Sequence, residues 1–87
     1  MKDIYIKKAD ILKALGHPTR LRIVEGLLND ECNVNHIVEC LDMPQSTISQ
    51  HLAVLKSAGI LEGERRGTEI CYKVVNGDVK KIIKLML

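Results

Sequence analysis

One stretch in the middle of the chain, residues 42–55, constrains most strongly what the rest can fold into. It reads Asp-Met-Pro-Gln-Ser-Thr-Ile-Ser-Gln-His-Leu-Ala-Val-Leu. At about 100° per residue, Ile48, Leu52 and Leu55 fall on one side of a helix, and short hydrogen-bonding side chains fall on the others. Proline suits the first turn of a helix and interrupts the element before it, so the stretch predicts a turn and then a helix over residues 44–57.

A helix with an apolar back and a front of hydroxyl and amide groups has two interpretations. The major groove of DNA admits a helix, and Ser, Thr and Gln side chains can form hydrogen bonds with base edges. The same pattern is also typical of an ordinary amphipathic surface helix with a polar first turn. The stretch alone does not decide between the two, so the neighbouring segments have to be considered.

The composition indicates one small domain with an aliphatic core. The 87 residues suffice for a single domain, residues 1–87, with a core of modest size. Hydrophobic residues make up 46% of the chain, but it has no Phe, no Trp and only two Tyr, so the core must be aliphatic. The same scarcity argues against modules that stack single-stranded bases on aromatic side chains.

Charge and hydropathy narrow further the classes of protein to which the chain can belong. The formal net charge of +2 permits nucleic-acid binding without requiring it. No apolar run approaches the roughly 20 residues of a membrane span, and the first residues lack the apolar block of a signal peptide. We therefore expect a cytoplasmic protein that has no membrane partner.

Upstream of the central stretch, the sequence predicts three further helices. A first helix over residues 1–15 ends at a Gly-His-Pro sequence, and a second follows over about 18–28. Asn33 is the expected N-cap of a third helix, in which apolar residues repeat at helical spacing up to Leu41. This third helix, the turn at residues 42–44 and the polar-fronted helix together form a helix-turn-helix pattern.

Downstream, two strand-like runs on either side of a turn predict a β-hairpin over residues 60–75. A hairpin after a helix-turn-helix is a wing. Arg65 and Arg66 at its tip could contact the phosphate backbone or a minor groove, or they could lie in a solvated turn. A last helix opens at Asn76 and carries apolar residues to Met86. The predicted fold is mainly α with a small β-hairpin, a winged helix-turn-helix in the order α-α-α-α-β-β-α.

Three segments of the chain carry a family resemblance. Residues 15–23 read Leu-Gly-His-Pro-Thr-Arg-Leu-Arg-Ile, and this sequence resembles the opening motif of the ArsR/SmtB winged-helix repressors. Residues 44–55 resemble their recognition helix, and Gly67 with residues 70–74 resembles their wing. The resemblance covers essentially the whole chain. It implies a homodimeric, sequence-specific repressor of bacterial type that leaves DNA when an effector binds.

The terminal helices carry the expected dimer interface. Members of the family it resembles pair through their first and last helices, and a chain this short would expose apolar surface as a monomer. The residues expected at the interface are Ile4, Ile11, Leu12, Val79, Ile82, Ile83 and Met86. A two-fold dimer would place its recognition helices one DNA turn apart, about 34 Å, and so predicts a palindromic operator in double-stranded DNA.

The expected DNA contacts come from the front of the recognition helix and from the wing. They are Gln45, Ser46, Thr47, Ser49, Gln50, Lys56, Arg65, Arg66 and Thr68. The last four are expected to hold the phosphate backbone. The amide of Gln50 could bind adenine through two hydrogen bonds; its alternative is a contact with phosphate alone. His51, at the edge of the apolar side, is expected to be packed and hydrogen-bonded within the protein.

The sensing sites known from the family are missing at each matching position. The arsenic-type site uses a Cys-Val-Cys segment where this chain has Asn33-Val34-Asn35. The zinc-type site needs an Asp-x-His pair and further ligands on the last helix, where Asp78 stands alone. The cysteine of a persulfide-sensing branch is matched by Glu25. The sequence therefore predicts no metal site and no cofactor, and it leaves the inducer unidentified.

The cysteines leave alternatives open. Three cysteines without a Cys-x-x-Cys motif do not form a disulfide framework. Cys32, Cys40 and Cys71 could pack as small hydrophobes, or oxidation of a thiol could switch DNA binding. His36 and Cys40 stand four residues apart on one helix and could chelate a metal, although two ligands do not make a site.

Two other classes of function have less support. A protein-interaction module that kept the fold but lost DNA binding is supported only by the weak positive charge. An enzyme would need paired carboxylates, a Gly-rich phosphate loop or a nucleophile signature, and the sequence has none of these. We therefore expect a DNA-binding regulator that is not an enzyme.

Overall fold

In the computed structural model, which describes residues 2–29 and 34–87, helices and one hairpin follow one another in the predicted order. The elements are α1 (Asp3–Leu15), α2 (Pro18–Asn29), α3 (Val34–Leu41), α4 (Gln45–Ser57), β1 (Leu61–Arg66), β2 (Glu69–Val74) and α5 (Gly77–Met86). This order confirms the α-α-α-α-β-β-α prediction, and the bounds agree with the predicted ones to within two residues. The expected N-cap Asn33 and its neighbour Cys32 lie outside the described residues.

The core is aliphatic, as the composition requires. Buried side chains from each helix and from both strands meet in one cluster. Its largest fully buried members are Ile23, Val24, Leu27, Ile48, Leu55, Ile60 and Val79. Gly26 allows α3 to lie close against α2, because a Cβ atom there would meet the Cδ1 atom of Ile37 at 2.8 Å. Since α4 contributes Ile48, Leu52 and Leu55 to this core, its docking fixes which of its faces is turned outward.

The turn between α3 and α4 is short and has a defined backbone. Asp42 has a φ of 52°, in the left-handed region that Asp tolerates better than most residues with a side chain. The carbonyl oxygen of Pro44 accepts hydrogen bonds from the backbone N–H groups of Thr47 at 3.1 Å and Ile48 at 3.2 Å. These bonds begin α4 directly after the proline, so the backbone of the turn sets the angle between the two helices.

The hairpin is regular and antiparallel. Its register runs from the pair Leu61 and Val74 to the pair Arg66 and Glu69. Gly67, in the two-residue connection, has a φ of 63°, which glycine adopts without steric cost. One face carries Leu61, Gly63, Arg65, Ile70, Tyr72 and Val74, and the other carries Glu62, Glu64, Arg66, Glu69, Cys71 and Lys73. The prediction that Cys71 and Tyr72 lie on opposite faces is confirmed.

The last helix, α5, packs against α2 and is linked to α1. The Oδ1 atom of Asn76 caps α5 by accepting a hydrogen bond from the N–H group of Val79 at 3.1 Å. The Nζ atom of Lys8 lies 2.8 Å from the Oδ2 atom of Asp78. The hydrogen bond and the charge of Lys8 hold the pKa of Asp78 below its ordinary value. None of the helices in the described residues combines the length and the apolar character needed to cross a membrane.

Candidate nucleic-acid interface

The front of α4 is open to solvent while its back is docked in the core. The polar side chains of its first two turns that reach the surface are Gln45, Ser46, Thr47, Ser49 and Gln50, with Thr47 half-buried. Each of them is uncharged, and hydroxyl and amide groups can both donate and accept hydrogen bonds. The front of α4 therefore offers both hydrogen-bond donors and hydrogen-bond acceptors, which base edges require.

A shallow depression of about 320 Å³ joins α4 to the hairpin. Gln45 and Ser49 of α4, Thr68 of the turn and Tyr72 of β2 are among the residues that line it. The structure thus brings three predicted contact residues, one of them from the wing, onto one continuous surface. Lys56 is exposed near the end of α4, and it does not line this depression.

The tip of the wing is less basic than two adjacent arginines suggest. The Nη2 atom of Arg66 lies 3.5 Å from the Oε2 atom of Glu64, and both side chains are largely exposed. Arg66 also stands opposite Glu69 in the hairpin. Within residues 61–74 the three basic residues are matched by three acidic ones, so the formal charge of the wing is zero. Among the described residues, Arg65 has no ion-pair partner.

His51 lies at the edge of the exposed front and is held within the protein, as the sequence predicts. Its Nδ1 atom is 3.4 Å from the Nη1 atom of Arg20, and its ring centroid is 4.7 Å from that of His17. Burial first, and then the charges of His17 and Arg20, lower the pKa of His51 below its ordinary value. The imidazole is therefore neutral at neutral pH and links α4 to the start of α2.

The residues predicted for the dimer interface divide between the surface and the core. Ile4, Leu12 and Met86 are exposed, and Ile11 and Ile82 are half-buried. The structure corrects two of them: Val79 and Ile83 are buried within the protomer itself, so their side chains do not face a partner. The sequence reasoning missed four exposed apolar side chains on or next to the same two helices, Tyr5, Ile6, Leu85 and Leu87. Tyr5 stands seven residues before Leu12, a spacing that identifies it as part of the same apolar face.

The cysteines lie in different surroundings. Cys40 is exposed and free, and its Sγ atom lies 3.6 Å from the Nε2 atom of His36. Cys71 is buried in β2 and disulfide-bonded. This corrects the expectation that the cysteines form no disulfide, because the spacing of cysteines in the sequence does not show which thiols meet in the fold. Within residues 2–29 and 34–87, no group of three or more His, Cys, Asp or Glu side chains could hold a metal ion.

Comparison with known proteins identifies the family. The family model described as bacterial regulatory protein, arsR family, matches residues 17–72, which run from the start of α2 into β2. The helix-turn-helix transcriptional regulator MJ1325 of Methanocaldococcus jannaschii is 47% identical over 83 residues. That match covers 94% of this chain and 93% of the relative.

Solved structures share the whole fold. The transcriptional repressor PagR of Bacillus anthracis is similar with a TM-score of 0.83 at 40% identity, over 95% of each chain. The homodimeric winged helix-turn-helix DNA-binding domain of Mb0332 from Mycobacterium bovis gives a TM-score of 0.83 at 31% identity. That match covers 98% of this chain and 82% of the other. With its hairpin beside an exposed, polar-fronted α4, this chain belongs to the ArsR family of winged helix-turn-helix transcriptional regulators, which bind DNA and are not enzymes.

Proposed function

We propose that this chain is a homodimeric repressor that binds a palindromic site in double-stranded DNA. In this proposal α4 enters the major groove and the wing, residues 60–75, contacts the phosphate backbone. The observation that carries the proposal is the division of α4 between a front of uncharged donors and acceptors and a back of buried aliphatic side chains. A front of this kind suits base edges, whereas an apolar front would suit a protein partner.

Within α4, we assign the main base contact to Gln50. It is exposed one turn after Ser46 on the same front. Its amide can bind adenine through two hydrogen bonds, a contact worth about 1–3 kcal/mol of discrimination against other bases. We assign neighbouring base or phosphate contacts to Gln45, Ser46, Thr47 and Ser49. Lys56, Arg65, Arg66 and Thr68 would bind phosphates, which fixes the position of the protein without selecting a sequence.

The dimer is supported by apolar side chains that a single protomer leaves in water. Leu12 of α1 is 57% exposed and Met86 of α5 is 66% exposed. Contiguous apolar surface of this kind marks an interaction site. The solved Mb0332 domain, to which this chain is similar, is described as homodimeric. A two-fold pair would place two copies of α4 about 34 Å apart, so that both enter the major groove on one side of the duplex.

Release from DNA, in this proposal, does not use the metal sites of the family. Those sites need thiolates or imidazoles at the matching positions. Asn35 stands at one of these positions, and Asp78 is bound to Lys8 rather than to a cluster of further ligands. Glu25 stands where the persulfide-sensing branch, which uses no metal, has its cysteine. An effector of this protein would therefore act through residues other than these.

Selection of bound duplexes from a random DNA library, read out by sequencing, tests the proposal and does not require a known operator. The expected product is a symmetric motif whose half-sites lie about 10–10.5 base pairs apart. The affinity for the selected fragment should then be measured at several salt concentrations. With about 6–10 phosphate contacts, it should fall by roughly 10³–10⁵ between 50 and 200 mM salt.

The matched control is the same fragment with one half-site scrambled. A homodimer should bind it far more weakly, because only one α4 meets its sequence. Equal binding of the two fragments would contradict the symmetric pair. Failure to bind any duplex at low salt would overturn the proposal and favour a protein-interaction module.

A further inference from the structure

A cavity of about 750 Å³, open to solvent, lies beside the C-terminal half of α4. It opens between α1, the start of α2 and the C-terminal half of α4. It is widely open to solvent, so a ligand here would lie along the surface rather than inside the protein. Lys8 and Leu12 line a separate depression together with α5, so this cavity and the apolar dimer face lie on different sides of α1.

Positive charge is in excess around the cavity. Lys7, Lys13 and Arg20 line it, and Asp10 is the carboxylate among its lining residues. Within the described residues, none of the three cations takes part in an ion pair. An anionic group bound here would therefore meet two unmatched positive charges at little cost in broken contacts.

Arg20 is held in place before any ligand arrives. Its Nε atom donates a hydrogen bond to the carbonyl oxygen of Ala14 at 2.5 Å, and its Nη1 atom contacts His51. A guanidinium group has five N–H donors in a fixed plane, so these two contacts leave others for a ligand. Its Nη2 atom, which neither contact uses, can donate a charge-assisted hydrogen bond to a carboxylate oxygen.

The floor of the cavity is aliphatic. Ala14 of α1 and Ala53, Val54 and Ala58 at the far end of α4 contribute to it. Val54 is 40% exposed, although a large apolar side chain gains from burial. Among the described residues that line the cavity none is aromatic, so a nucleobase or another flat ring would find no stacking partner there. A cationic rim above an aliphatic floor suits a molecule with one acidic head and a short alkyl tail.

We infer that this cavity binds an aliphatic carboxylate, whose head contacts Lys13 and Arg20 and whose tail covers Val54. Such a ligand would also act as an effector. Val54 follows Gln50 by one turn of α4, and α1 carries part of the apolar dimer face. A ligand that ties α1 to α4 therefore fixes the recognition helix relative to the partner protomer. This regulatory part rests on the proposed function, whereas the binding part does not.

The binding part is tested by calorimetry on the whole chain without DNA, with sodium octanoate as the probe. One molecule should bind per protomer. Lys13→Gln should weaken binding by about tenfold or more, because it removes a charge-assisted contact. Val54→Thr, which keeps the shape and adds a hydroxyl, should weaken it by a smaller factor. Lys73→Gln, an exposed lysine of β2 away from the cavity, should bind as the wild type does.

Two further probes separate the head from the tail. Inorganic phosphate has charge and no tail, and octanol has a tail and no charge, so both should bind much more weakly than octanoate. Equal binding of either probe, or unchanged octanoate binding by Lys13→Gln, would overturn the proposed site. Lys13 and Val54 are exposed, so these variants leave the buried core intact.

The regulatory part is tested on the DNA fragment selected as described above. Octanoate should lower the DNA affinity of the wild type, and higher concentrations should be needed for Val54→Thr. If octanoate binds and leaves the DNA affinity unchanged, the effector role is overturned. If the protein binds octanoate and no duplex at all, the proposed function fails while the binding site stands.

Discussion

The recognition helix and the wing differ in how they are built. Three buried side chains fix α4, and its exposed front is free of charge. The wing carries equal numbers of acidic and basic residues, and its Ile70 is 48% exposed. A fixed, uncharged face suits hydrogen bonds that depend on geometry, and an exposed, charged hairpin tip suits phosphates. If the proposed function holds, base discrimination and backbone attraction fall to separate elements of this fold.

The largest expected effect concerns how firmly each element is docked. Ile48→Ala should lower the free energy of unfolding by about 2–5 kcal/mol, because it leaves a cavity under α4 in the centre of the core. Ile70→Ala, the matched change in the wing, should lower it by about 1 kcal/mol or less. Urea unfolding followed by circular dichroism measures both. Equal losses would remove the contrast between a fixed helix and an exposed wing tip.

The next effect separates discrimination from attraction. Operator variants that differ at one base pair of each half-site should differ in binding free energy for the wild type. Gln50→Ala should reduce that difference by about 1–3 kcal/mol. Arg65→Gln should weaken all duplexes by a similar factor and reduce the slope of log affinity against log salt by about 1. Anisotropy titrations over a set of operator variants at several salt concentrations measure both.

The two variants serve as controls for one another. If Gln50→Ala keeps the wild-type ranking of operator variants, Gln50 contacts only phosphate. If Arg65→Gln changes the ranking instead, the wing selects sequence and the assignment of roles is reversed.

A smaller effect tests whether the acidic residues of the wing oppose DNA binding. Glu64→Gln removes the carboxylate that lies 3.5 Å from Arg66 and leaves the arginine free for phosphate. The affinity for specific and random duplexes should rise together, by roughly 0.2–1 kcal/mol, the usual worth of an exposed ion pair. Glu62→Gln is the matched control, because it removes the same charge from the end of β1 far from the tip. An increase confined to the specific duplex would contradict this role.

The smallest effect concerns pH at the edge of α4. Burial, then the charges of His17 and Arg20, lower the pKa of His51 from its ordinary value of 6.5. The unfolded chain therefore takes up this proton at a higher pH than the folded chain does. The stability that the neutral imidazole contributes is complete above pH 6.5 and is lost as the pH falls through the folded-state pKa.

When the pH is lowered from about 7.5 to 5.5, the urea concentration at the midpoint of unfolding should therefore fall less for His51→Gln than for the wild type. Arg65→Gln, which alters the wing alone, should follow the wild-type pH dependence. A wild type and a His51→Gln variant with the same pH dependence would show that the pKa of His51 is not lowered in the fold.

Local patterns in the sequence predict most of the fold. Pro44 and the spacing of Ile48, Leu52 and Leu55 locate α4. Asn76 marks the start of α5 in the sequence, and in the structure its side chain caps that helix. These signals are short-range, since they depend on residues within one or two turns of each other. The same spacing also predicts the exposed polar front of α4 and the packing of His51 at its edge.

Contacts between distant segments could not be predicted in this way. Helical periodicity marks Val79 and Ile83 as apolar, but it does not tell whether their own chain or a partner covers them. The contact of Arg20 with His51 spans 31 positions in sequence. The cavity between α1 and α4 likewise exists only once the helices are packed.

The central claim is that α4 selects the bases while the wing contacts only the backbone. Amide chemical shifts of the protein bound to two duplexes that differ in one base pair of each half-site test it most directly. The account predicts that the spectra of the two complexes differ within residues 45–50, while residues 65–68 shift equally with both. Differences confined to the wing, or the absence of any shift in α4, would contradict it.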